Sequence, residues 1–417
     1  MNPTKVDPGL LNQMNVIASQ EPIAVIVRHK TRAFSAQTVL ASSPAIDGQF
    51  RLFPAQALKV SSADIETLSD QDEVEYIWPD LPVHTWLNSS APLIAAPKVW
   101  ETGLKGLGIK VGVVDTGIDE SHPDFAGRIV ATAIFVSDSA KDDNGHGTHV
   151  AGTVAGNGAK SNGKYVGVAP EASLYIAKVL RGDGGGSMSG VMQGVEWAVL
   201  DQKVQVVNLS LGGSGSCDGT DALSTLCDEA VQQAGVVVCV AAGNSGPGAK
   251  TVGPPGCARF VITVGASDDS DGVARFSSRG PTSDGRVKPD IVFPGVSITA
   301  PQADGTRMGR VVEEGYVVAD GTSMATPHAA GVAALMLQAN PELTAAQVKT
   351  HMLAGAIDIG GLPNERGVGR ADAYRAYLKA TGQDIPDPAP PLPPTSPTPT
   401  PDPGPPGCLA SIFGRRS

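Results

Sequence analysis

Short apolar runs rich in valine and isoleucine recur along residues 109–380, and helical segments alternate with them. Runs of this kind are typical of strands that are buried on both faces of a sheet. Their alternation with helices predicts an α/β domain with a mostly parallel twisted sheet and helices on both faces. The predicted strands are 110–114, 174–179, 204–209, 236–241 and 261–264.

The chain before this domain has a different pattern. Residues 1–20 are polar and are expected to be flexible, and residues 21–86 predict a small α+β domain. Its elements follow from apolar alternation and from a serine that caps an early acidic turn. They are strands 23–28, 50–53, 57–60 and 74–78 and helix 62–68. A connector is expected over 87–95, before the α/β domain of 96–380.

Residues 381–417 differ again, because 12 of the 33 prolines fall within 384–407. This composition predicts an extended, disordered linker that ends in a short tail. The formal net charge of −11 argues against a nucleic-acid partner. No apolar run reaches the roughly 18 residues of a membrane span, so none is predicted. The N-terminus has no basic start followed by an apolar stretch, so no secretion signal is visible.

The five cysteines leave the disulfide pairing open. Cys217 and Cys227 flank a short polar segment and could close a small loop. Cys239 lies in an apolar run and is expected to be a buried free thiol. Cys257 fits either state, and Cys408 lies in the tail. The spacing of these cysteines does not indicate zinc, and no metal site is predicted from it.

Four polar residues stand where predicted strands and helices meet. Asp115 ends an apolar strand, His146 lies in a glycine-flanked stretch before a small-residue helix, and Asn244 follows another buried strand. Ser323 begins a long apolar helix, with Pro327 expected in its first turn; helix capping is the alternative role for this serine. An aspartate, a histidine and a serine can supply an orienting carboxylate, a general base and a nucleophile. An asparagine amide can donate to an oxyanion.

The stretches around these residues resemble those of subtilisin-like serine proteases, in the order Asp, His, Ser, over about residues 95–380. The resemblance implies that Asp115 orients the imidazole and that His146 is the general base and later the acid. It implies that Ser323 attacks the scissile carbonyl and that Asn244 helps to hold the oxyanion. The implied intermediate is an acyl-enzyme that water hydrolyses.

The resemblance also implies a cleft for an extended peptide. Two glycine-rich segments would pair with the main chain of protein and peptide substrates. Gly253 matches the base of the primary pocket, where a missing side chain leaves room for a large apolar group before the scissile bond. No acid is evident there, so we expect broad specificity with that preference. The implied substrate-binding residues are Gly184, Gly185, Gly186, Met188, Ser210, Leu211, Gly212, Ala242, Gly243 and Gly253.

Residues 21–86 resemble the propeptide of this family, through the acidic pair Asp72 and Glu73 and the strand that follows. The resemblance implies a zymogen that its own N-terminal domain inhibits, with self-cleavage between Trp86 and Leu87. An unrelated binding module is the alternative for this domain. The propeptide, the proline-rich tail and a possible disulfide favour an extracellular protein, whereas the lack of a visible signal favours the cytoplasm. We expect a monomer.

Catalysis of this kind needs no cofactor, but many family members bind structural calcium through an aspartate and a loop. Asp124 matches the aspartate, whereas the matching loop, 157–164, carries two lysines and no carboxylate. Such a loop is a poor ligand set for a hard cation. Two histidines with implied structural roles are His149 and His328. Three acids that could form another calcium site, but are expected to be solvated, are Asp138, Asp142 and Asp143.

Two other functions compete with a protease. One is a catalytically inactive pseudoprotease that only binds peptides, and the other is a surface-attached structural protein that uses the proline-rich tail. The complete set of four motifs disfavours the first, and the large protease-like domain disfavours the second.

Overall fold

The structure, a computed structural model, describes residues 1–7, 10–11, 14, 22–31, 33–44, 46–49, 54–79, 90–136, 139, 141–213 and 215–386. The chain forms two compact units, Met1–Leu87 and Asn88–Ser417, and each is described by itself. The sequence predictions that lie outside the described residues concern strand 50–53, Trp86, Leu87, Asp138, and the tail from 387 onward with Cys408.

A four-stranded antiparallel sheet organises the first unit. Its strands are β1 (Ile23–His29), β2 (Ile46–Gln49), β3 (Ala55–Val60) and β4 (Val74–Pro79). They are arranged in the order β2-β3-β1-β4. Burial alternates along β1, as it does in a strand with one face on a core. Helix α1 (Ser62–Ser69) begins at a capping box in which Ser61 and Asp64 exchange hydrogen bonds.

Seven strands form the parallel sheet at the centre of the second unit. They are β5 (Lys110–Asp115), β6 (Ile129–Ile134), β7 (Ser173–Lys178), β8 (Val206–Leu209), β9 (Val237–Ala241), β10 (Ile262–Ser267) and β11 (Ile291–Pro294). Their order across the sheet is β11-β10-β9-β8-β5-β7-β6. Every apolar run that predicts a strand of this sheet forms one. The predicted α/β fold class is therefore confirmed.

Helices cover both faces of this sheet. They are α2 (Ser90–Leu93), α3 (Ala96–Trp100), α4 (His146–Ala155), α5 (Met188–Glu196), α6 (Ala222–Gln232), α7 (Thr322–Ala339), α8 (Ala345–Ala354), α9 (Pro363–Arg366) and α10 (Ala373–Ala380). Successive residues of β5 face opposite sides, so Val113 packs in a core with α3, α4, α7, α8 and α10, and Val114 packs in a core with α5 and α6. The strands are buried on both faces for this reason.

Helix α7 lies in the larger of these two cores. Its residues are buried from Met324 to Leu337, and most of them are small or aliphatic. A Cβ atom added to Gly331 would lie 2.5 Å from Cβ of Val168. Small residues along this helix therefore allow the close packing that fixes the position of its first turn.

Some elements do not follow from the apolar runs. Strand β6 lies at the sheet edge and alternates between half-buried and exposed residues, and β11 has only four residues. A separate three-stranded antiparallel sheet has strands β12 (Ile298–Pro301), β13 (Arg310–Glu313) and β14 (Tyr316–Ala319). Part of the predicted connector, 87–95, is helical, because α2 lies within it. Within the described residues, no helix is both long and apolar enough to cross a membrane.

The disulfide differs from the pairing that the sequence spacing suggested. Cys217 is bonded to Cys257, 40 residues further on, with Cα atoms 6.0 Å apart. Cys227 is a free thiol because its helix, α6, turns it into the core against the sheet, away from the loop of Cys217. Cys239 is buried and free, as predicted.

Candidate active site

The carboxyl ends of the central strands meet at one edge of the seven-stranded sheet, and the candidate residues gather there. Asp115 is the last residue of β5, Ser210 directly follows β8, and Asn244 follows β9 after a two-residue turn. The three strands are neighbours in the sheet, so these residues stand side by side. This edge is the usual ligand site of open α/β sheets. His146 and Ser323 reach the same cleft from the first residues of α4 and α7.

Asp115 and His146 form a close pair. His146 Nδ1 donates to Asp115 Oδ1 at 2.7 Å, and the backbone N–H of Thr116 donates to the same oxygen at 2.7 Å. The Asp115 side chain is fully buried, and its Oδ2 has no hydrogen-bond partner among the residues that the structure describes. With the proton on Nδ1, the Nε2 atom of a neutral His146 carries the lone pair that can accept a proton.

The pKa of His146 lies above its ordinary value. Burial lowers this pKa, but the Asp115 carboxylate, by its charge and its hydrogen bond, and the Asp142 carboxylate together raise it by more. The His146 side chain is 21% exposed, so it keeps access to the cleft. An imidazole with raised proton affinity is a stronger general base whenever the solution pH keeps it neutral.

The expectation that Asp142 is a solvated surface acid is wrong, because its side chain is fully buried. Its Oδ1 accepts hydrogen bonds from Thr116 Oγ1 at 2.9 Å and from the backbone N–H of Gly145 at 2.8 Å. Its Oδ2 accepts from the backbone N–H and from Oγ1 of Thr148, at 2.9 and 2.6 Å. Both oxygens are therefore occupied by protein donors. The carboxylate fixes the turn that presents His146 and adds negative charge near the imidazole.

Ser323 is the second residue of α7 and not its cap, so the capping alternative is wrong. Gly321 occupies the cap position, without a side-chain bond. Ser323 Oγ donates to the carbonyl oxygen of Ser210 at 3.0 Å. In this conformation its proton points to the carbonyl oxygen of Ser210. The backbone N–H groups of Met324 and Ala325 donate to the carbonyl oxygen of Gly321, whereas that of Ser323 has no partner among the described residues. This N–H group and the start of the helix favour negative charge beside the serine.

The sequence predicted Pro327 in the first turn of α7, but this prediction is wrong, because Pro327 lies in the second turn. Its nitrogen carries no proton for the carbonyl oxygen of Ser323, four residues earlier. The Ser210 hydroxyl donates to that carbonyl oxygen instead, at 2.8 Å. The proline therefore leaves an acceptor that ties the backbone of Ser323 to the segment after β8.

The Asn244 side chain is oriented by a neighbour of Ser323. Asn244 Oδ1 accepts hydrogen bonds from the backbone N–H of Thr322 at 2.9 Å and from Thr322 Oγ1 at 3.0 Å. Thr322 Oγ1 also accepts from the backbone N–H of Gly243, at 3.2 Å. With Oδ1 held in this way, the amide N–H groups of Asn244 are left for the cleft. The sequence did not indicate Thr322 or the buried role of Asp142, because both depend on contacts between distant segments.

The cleft contains most of the implied substrate-binding residues and has a volume of about 630 Å³. Of the described residues that line it, none is Asp, Glu, Lys or Arg. The lining is therefore uncharged apart from His146, and apolar side chains are frequent. The lining residues that the sequence indicated are Gly184, Gly186, Met188, Ser210, Leu211, Gly212, Ala242, Gly243 and Gly253.

Two glycines depart from the expectation. Gly185 does not line the cleft: its carbonyl oxygen accepts from the backbone N–H of Arg181 at 2.9 Å and closes a tight turn. Gly253 lines the cleft for a different reason from the one expected. A Cβ atom at Gly253 would lie 2.1 Å from the carbonyl oxygen of Gly213, so glycine is required where two backbones meet.

His149 and His328 lie in the protein interior. His149 Nε2 donates to the carbonyl oxygen of Ile298 at 3.0 Å, and His328 Nδ1 donates to that of Met324 at 2.9 Å. Burial lowers the pKa of His149 to about 3 and that of His328 to about 4, so both are neutral at pH 7. Neither lines the cleft, which agrees with structural roles.

The residues around Asp124 do not fit a calcium ion. The Asp124 carboxylate is buried, and it accepts hydrogen bonds from the backbone N–H of Lys160 at 2.9 Å and from the Tyr316 hydroxyl at 2.8 Å. The loop places two ammonium groups nearby, and these pair with acids: Lys160 with Glu314 and Lys164 with Glu313. Protein donors thus occupy the oxygens that a hard cation would need, and the loop supplies cations in place of ligands.

Comparisons with known proteins agree with this geometry. A profile described as the subtilase family matches residues 106–375. Serine protease AprX from Bacillus subtilis (strain 168) is 43% identical over 313 residues, which are 69% of this chain and 70% of AprX. Subtilisin DY from Bacillus licheniformis is 42% identical over 273 residues, which are 64% of this chain and 91% of that protein.

A solved structure shows the same fold. It is described as the crystal structure of a cold adapted subtilisin-like serine proteinase, and it is 36% identical in sequence. The match has a TM-score of 0.51 and covers 64% of this chain and 89% of that chain. The chain therefore belongs to the subtilase family and is a subtilisin-like serine peptidase.

Proposed function

We propose that this subtilase is an endopeptidase in which Asp115, His146 and Ser323 act as the catalytic triad. The observation that carries the proposal is the 2.7 Å hydrogen bond from His146 Nδ1 to Asp115 Oδ1. It fixes the tautomer that leaves Nε2 free as a base, in a cleft that Ser323 also lines.

Acylation follows from these positions. The Ser323 hydroxyl turns from Ser210 toward His146, gives its proton to Nε2, and attacks the scissile carbonyl carbon. The Asn244 amide and the backbone N–H of Ser323 stabilise the oxyanion. The imidazolium then protonates the amine, the C–N bond breaks, and the amine leaves. Asp115 stays ionised and stabilises the imidazolium.

Deacylation repeats these steps with water. A water molecule gives a proton to His146 Nε2 and attacks the ester carbon of the acylated Ser323. His146 returns the proton to Ser323 Oγ as the ester bond breaks and the acid is released. The hydroxyl is then free to return to its bond with Ser210.

The uncharged lining of the cleft supports broad specificity with a preference for a large apolar residue before the scissile bond. A charged side chain would lose its hydration there without gaining an opposite charge. The two segments that begin at Gly184 and Ser210 would accept the main chain of an extended substrate.

We further propose that the chain is a zymogen. A compact first unit, Met1–Leu87, supports this, because a separately folded unit can act as an inhibitory propeptide. We propose that self-cleavage occurs between Trp86 and Leu87. Catalysis would need no metal, and the donors around Asp124 argue that no calcium binds there. The Cys217–Cys257 disulfide supports an oxidising, extracellular location.

Replacement of the nucleophile tests the assignment. Ser323→Ala should abolish both casein hydrolysis and self-processing, while the variant keeps its fold by circular dichroism. Ser270→Ala, which removes an exposed hydroxyl far along the chain from these motifs, is the matched control and should keep full activity. Unchanged proteolysis by Ser323→Ala would refute the triad, and an inactive wild-type protein that still binds peptides would indicate a pseudoprotease.

A further inference from the structure

One wall of the substrate pocket has no regular secondary structure. It consists of the described residues 211–213 and 215–221, between β8 and α6, and Leu211, Gly212 and Gly213 of this segment line the cleft. No strand ladder or helix fixes such a segment, so its position depends on individual tertiary bonds.

The opposite wall is the segment of residues 251–257, of which Thr251, Gly253 and Pro254 line the cleft. The two walls meet beside these lining residues. There the backbone N–H of Gly213 donates to the carbonyl oxygen of Pro254 at 2.7 Å. The backbones are so close that any Cβ atom at Gly253 would overlap the carbonyl oxygen of Gly213, at 2.1 Å.

One disulfide and one arginine side chain, both outside the pocket lining, also hold these walls together. The first is the Cys217–Cys257 disulfide. The second is the Arg286 side chain, whose Nη2 donates to the carbonyl oxygen of Asp218 at 2.7 Å and to that of Cys257 at 2.9 Å. Cys257 is buried, but Cys217 is partly exposed, so a reductant can reach the disulfide from the side of Cys217.

We propose that the Cys217–Cys257 disulfide sets the shape of the pocket for the residue before the scissile bond, so that reduction selectively weakens the binding of substrates with a large apolar residue there. The inference rests on the proposed peptidase activity and pocket. We expect a small residue to make little contact with the place where the walls meet. We expect a large residue to contact it, and to lose contact area when the loosely held wall moves away.

Reduction here is ordinary thiol–disulfide chemistry with an external reductant. A dithiol breaks the S–S bond, gives two electrons and two protons to form two thiols, and itself becomes a cyclic disulfide. The other two described cysteines, Cys227 and Cys239, do not compete. Both are buried, and burial raises the pKa of each thiol well above its usual range, so neither supplies an attacking thiolate.

The test compares the oxidised and the reduced enzyme, purified in the form that remains after self-processing. Two peptide p-nitroanilides are used that differ only in phenylalanine or alanine before the scissile bond. Thiol counting by mass spectrometry confirms complete reduction. EDTA is present throughout, with EDTA alone as a control, because the reduced thiols and Asp221 have ligand atoms within 4.8 Å of one another and could bind a soft metal ion.

The expected result is a change in KM for one peptide. Reduction should raise the KM of the phenylalanine peptide roughly 3- to 10-fold, with little change in kcat, because uniform binding of the side chain is lost. The KM of the alanine peptide should change less than about twofold. Reoxidation should restore the original values.

Three other outcomes are informative. If the oxidised enzyme prefers phenylalanine and reduction leaves that preference unchanged, the inference is overturned while the proposed function stands. Equal losses for both peptides show a general loosening and also overturn it. If the oxidised enzyme shows no preference for phenylalanine over alanine, the proposed specificity fails, and the selective role of the disulfide fails with it.

Variants separate the contribution of the disulfide from that of Arg286. The double variant Cys217→Ser/Cys257→Ser should match the reduced enzyme and be insensitive to reductant; if it does not fold, reduced wild-type enzyme carries the test. Arg286→Gln should enlarge the effect of reduction, since the hydrogen bonds from Arg286 to the carbonyl oxygens of Asp218 and Cys257 are then also missing. Arg259→Gln is the matched control, because Arg259 pairs with Asp284, as Arg286 does, but donates to neither carbonyl. An equal effect of reduction in the wild-type enzyme, Arg286→Gln and Arg259→Gln would contradict the proposal.

Discussion

The two sides of the cleft are built in different ways. On the catalytic side, Asp115 ends a buried strand and Asn244 follows one, and each is held by two or more hydrogen bonds. On the pocket side, the described residues 211–213 and 215–221 lie in a loop between β8 and α6. One backbone hydrogen bond, one disulfide and one arginine join this loop to the opposite wall. The catalytic side is part of the sheet and its helices, whereas the pocket side is attached to them.

This difference separates chemistry from recognition. Groups that transfer protons need positions fixed to a fraction of an ångström, and strand ends and helix starts supply such positions. A pocket wall tolerates more movement, and a loop can change its specificity without disturbing the triad. Loss of a catalytic-side contact should therefore lower kcat, and loss of a pocket-side contact should raise KM for particular substrates.

Among the steady-state measurements that test this difference between the two sides, the largest effect is predicted at the oxyanion site. Asn244→Ala should lower kcat by about 10²- to 10³-fold with little change in KM, a loss of the size known from subtilisin itself. The physical reason is that its amide donates to charge that develops only in the transition state. Steady-state kinetics on a peptide p-nitroanilide measures both constants.

Thr322 is a positioning residue for Asn244, and its replacement tests the same side of the cleft. Thr322→Val removes the hydroxyl that holds Asn244 Oδ1, so we expect a smaller loss in kcat than in Asn244→Ala. Thr322→Ser keeps the hydroxyl and should restore most of the activity. Equal loss in the valine and serine variants would show that only packing at this position matters.

An intermediate effect is predicted for Asp142→Asn. The Asp142 carboxylate raises the pKa of His146, so its loss should lower that pKa. Because activity needs neutral His146, the acid limb of kcat/KM should move to lower pH. Maximal kcat should fall by less than about 100-fold, because the turn before His146 loses part of its support.

Asp143→Asn is the matched control for this variant, since Asp143 is the exposed neighbour of the buried acid. It should leave the pH profile in place. If Asp142→Asn lowers activity equally at every pH, its carboxylate has a structural role only. Thermal unfolding of both variants measures how much stability the buried hydrogen bonds provide.

The smallest predicted effect is that of metal removal. Protein donors occupy both oxygens of Asp124, so EDTA should leave Tm and activity essentially unchanged, and added calcium should not raise Tm. Differential scanning calorimetry with EDTA and with calcium checks this. A clear rise in Tm with calcium would mean that a bound ion, and not side-chain bonds alone, supports this part of the domain.

The sequence predicted the sheet and the cleft better than the bonds between segments. The valine-rich runs are continuous because their strands are buried on both faces, so they could be found without a structure. Strand β6 could not be found in this way, since its residues alternate between half-buried and exposed. The partner of Cys217 and the burial of Asp142 depend on contacts between residues that are far apart in the chain, and local patterns contain no record of these.

The central claim is that the Asp115–His146 pair activates Ser323, and covalent labelling tests it most directly. A fluorophosphonate reacts with an activated serine, and peptide mapping by mass spectrometry identifies the residue. We predict a single adduct on Ser323 in the wild-type enzyme, and a labelling rate about 10⁴-fold lower in Asp115→Asn, the loss known for triads of this kind. An adduct on another residue, or an unchanged labelling rate in Asp115→Asn, would contradict the account.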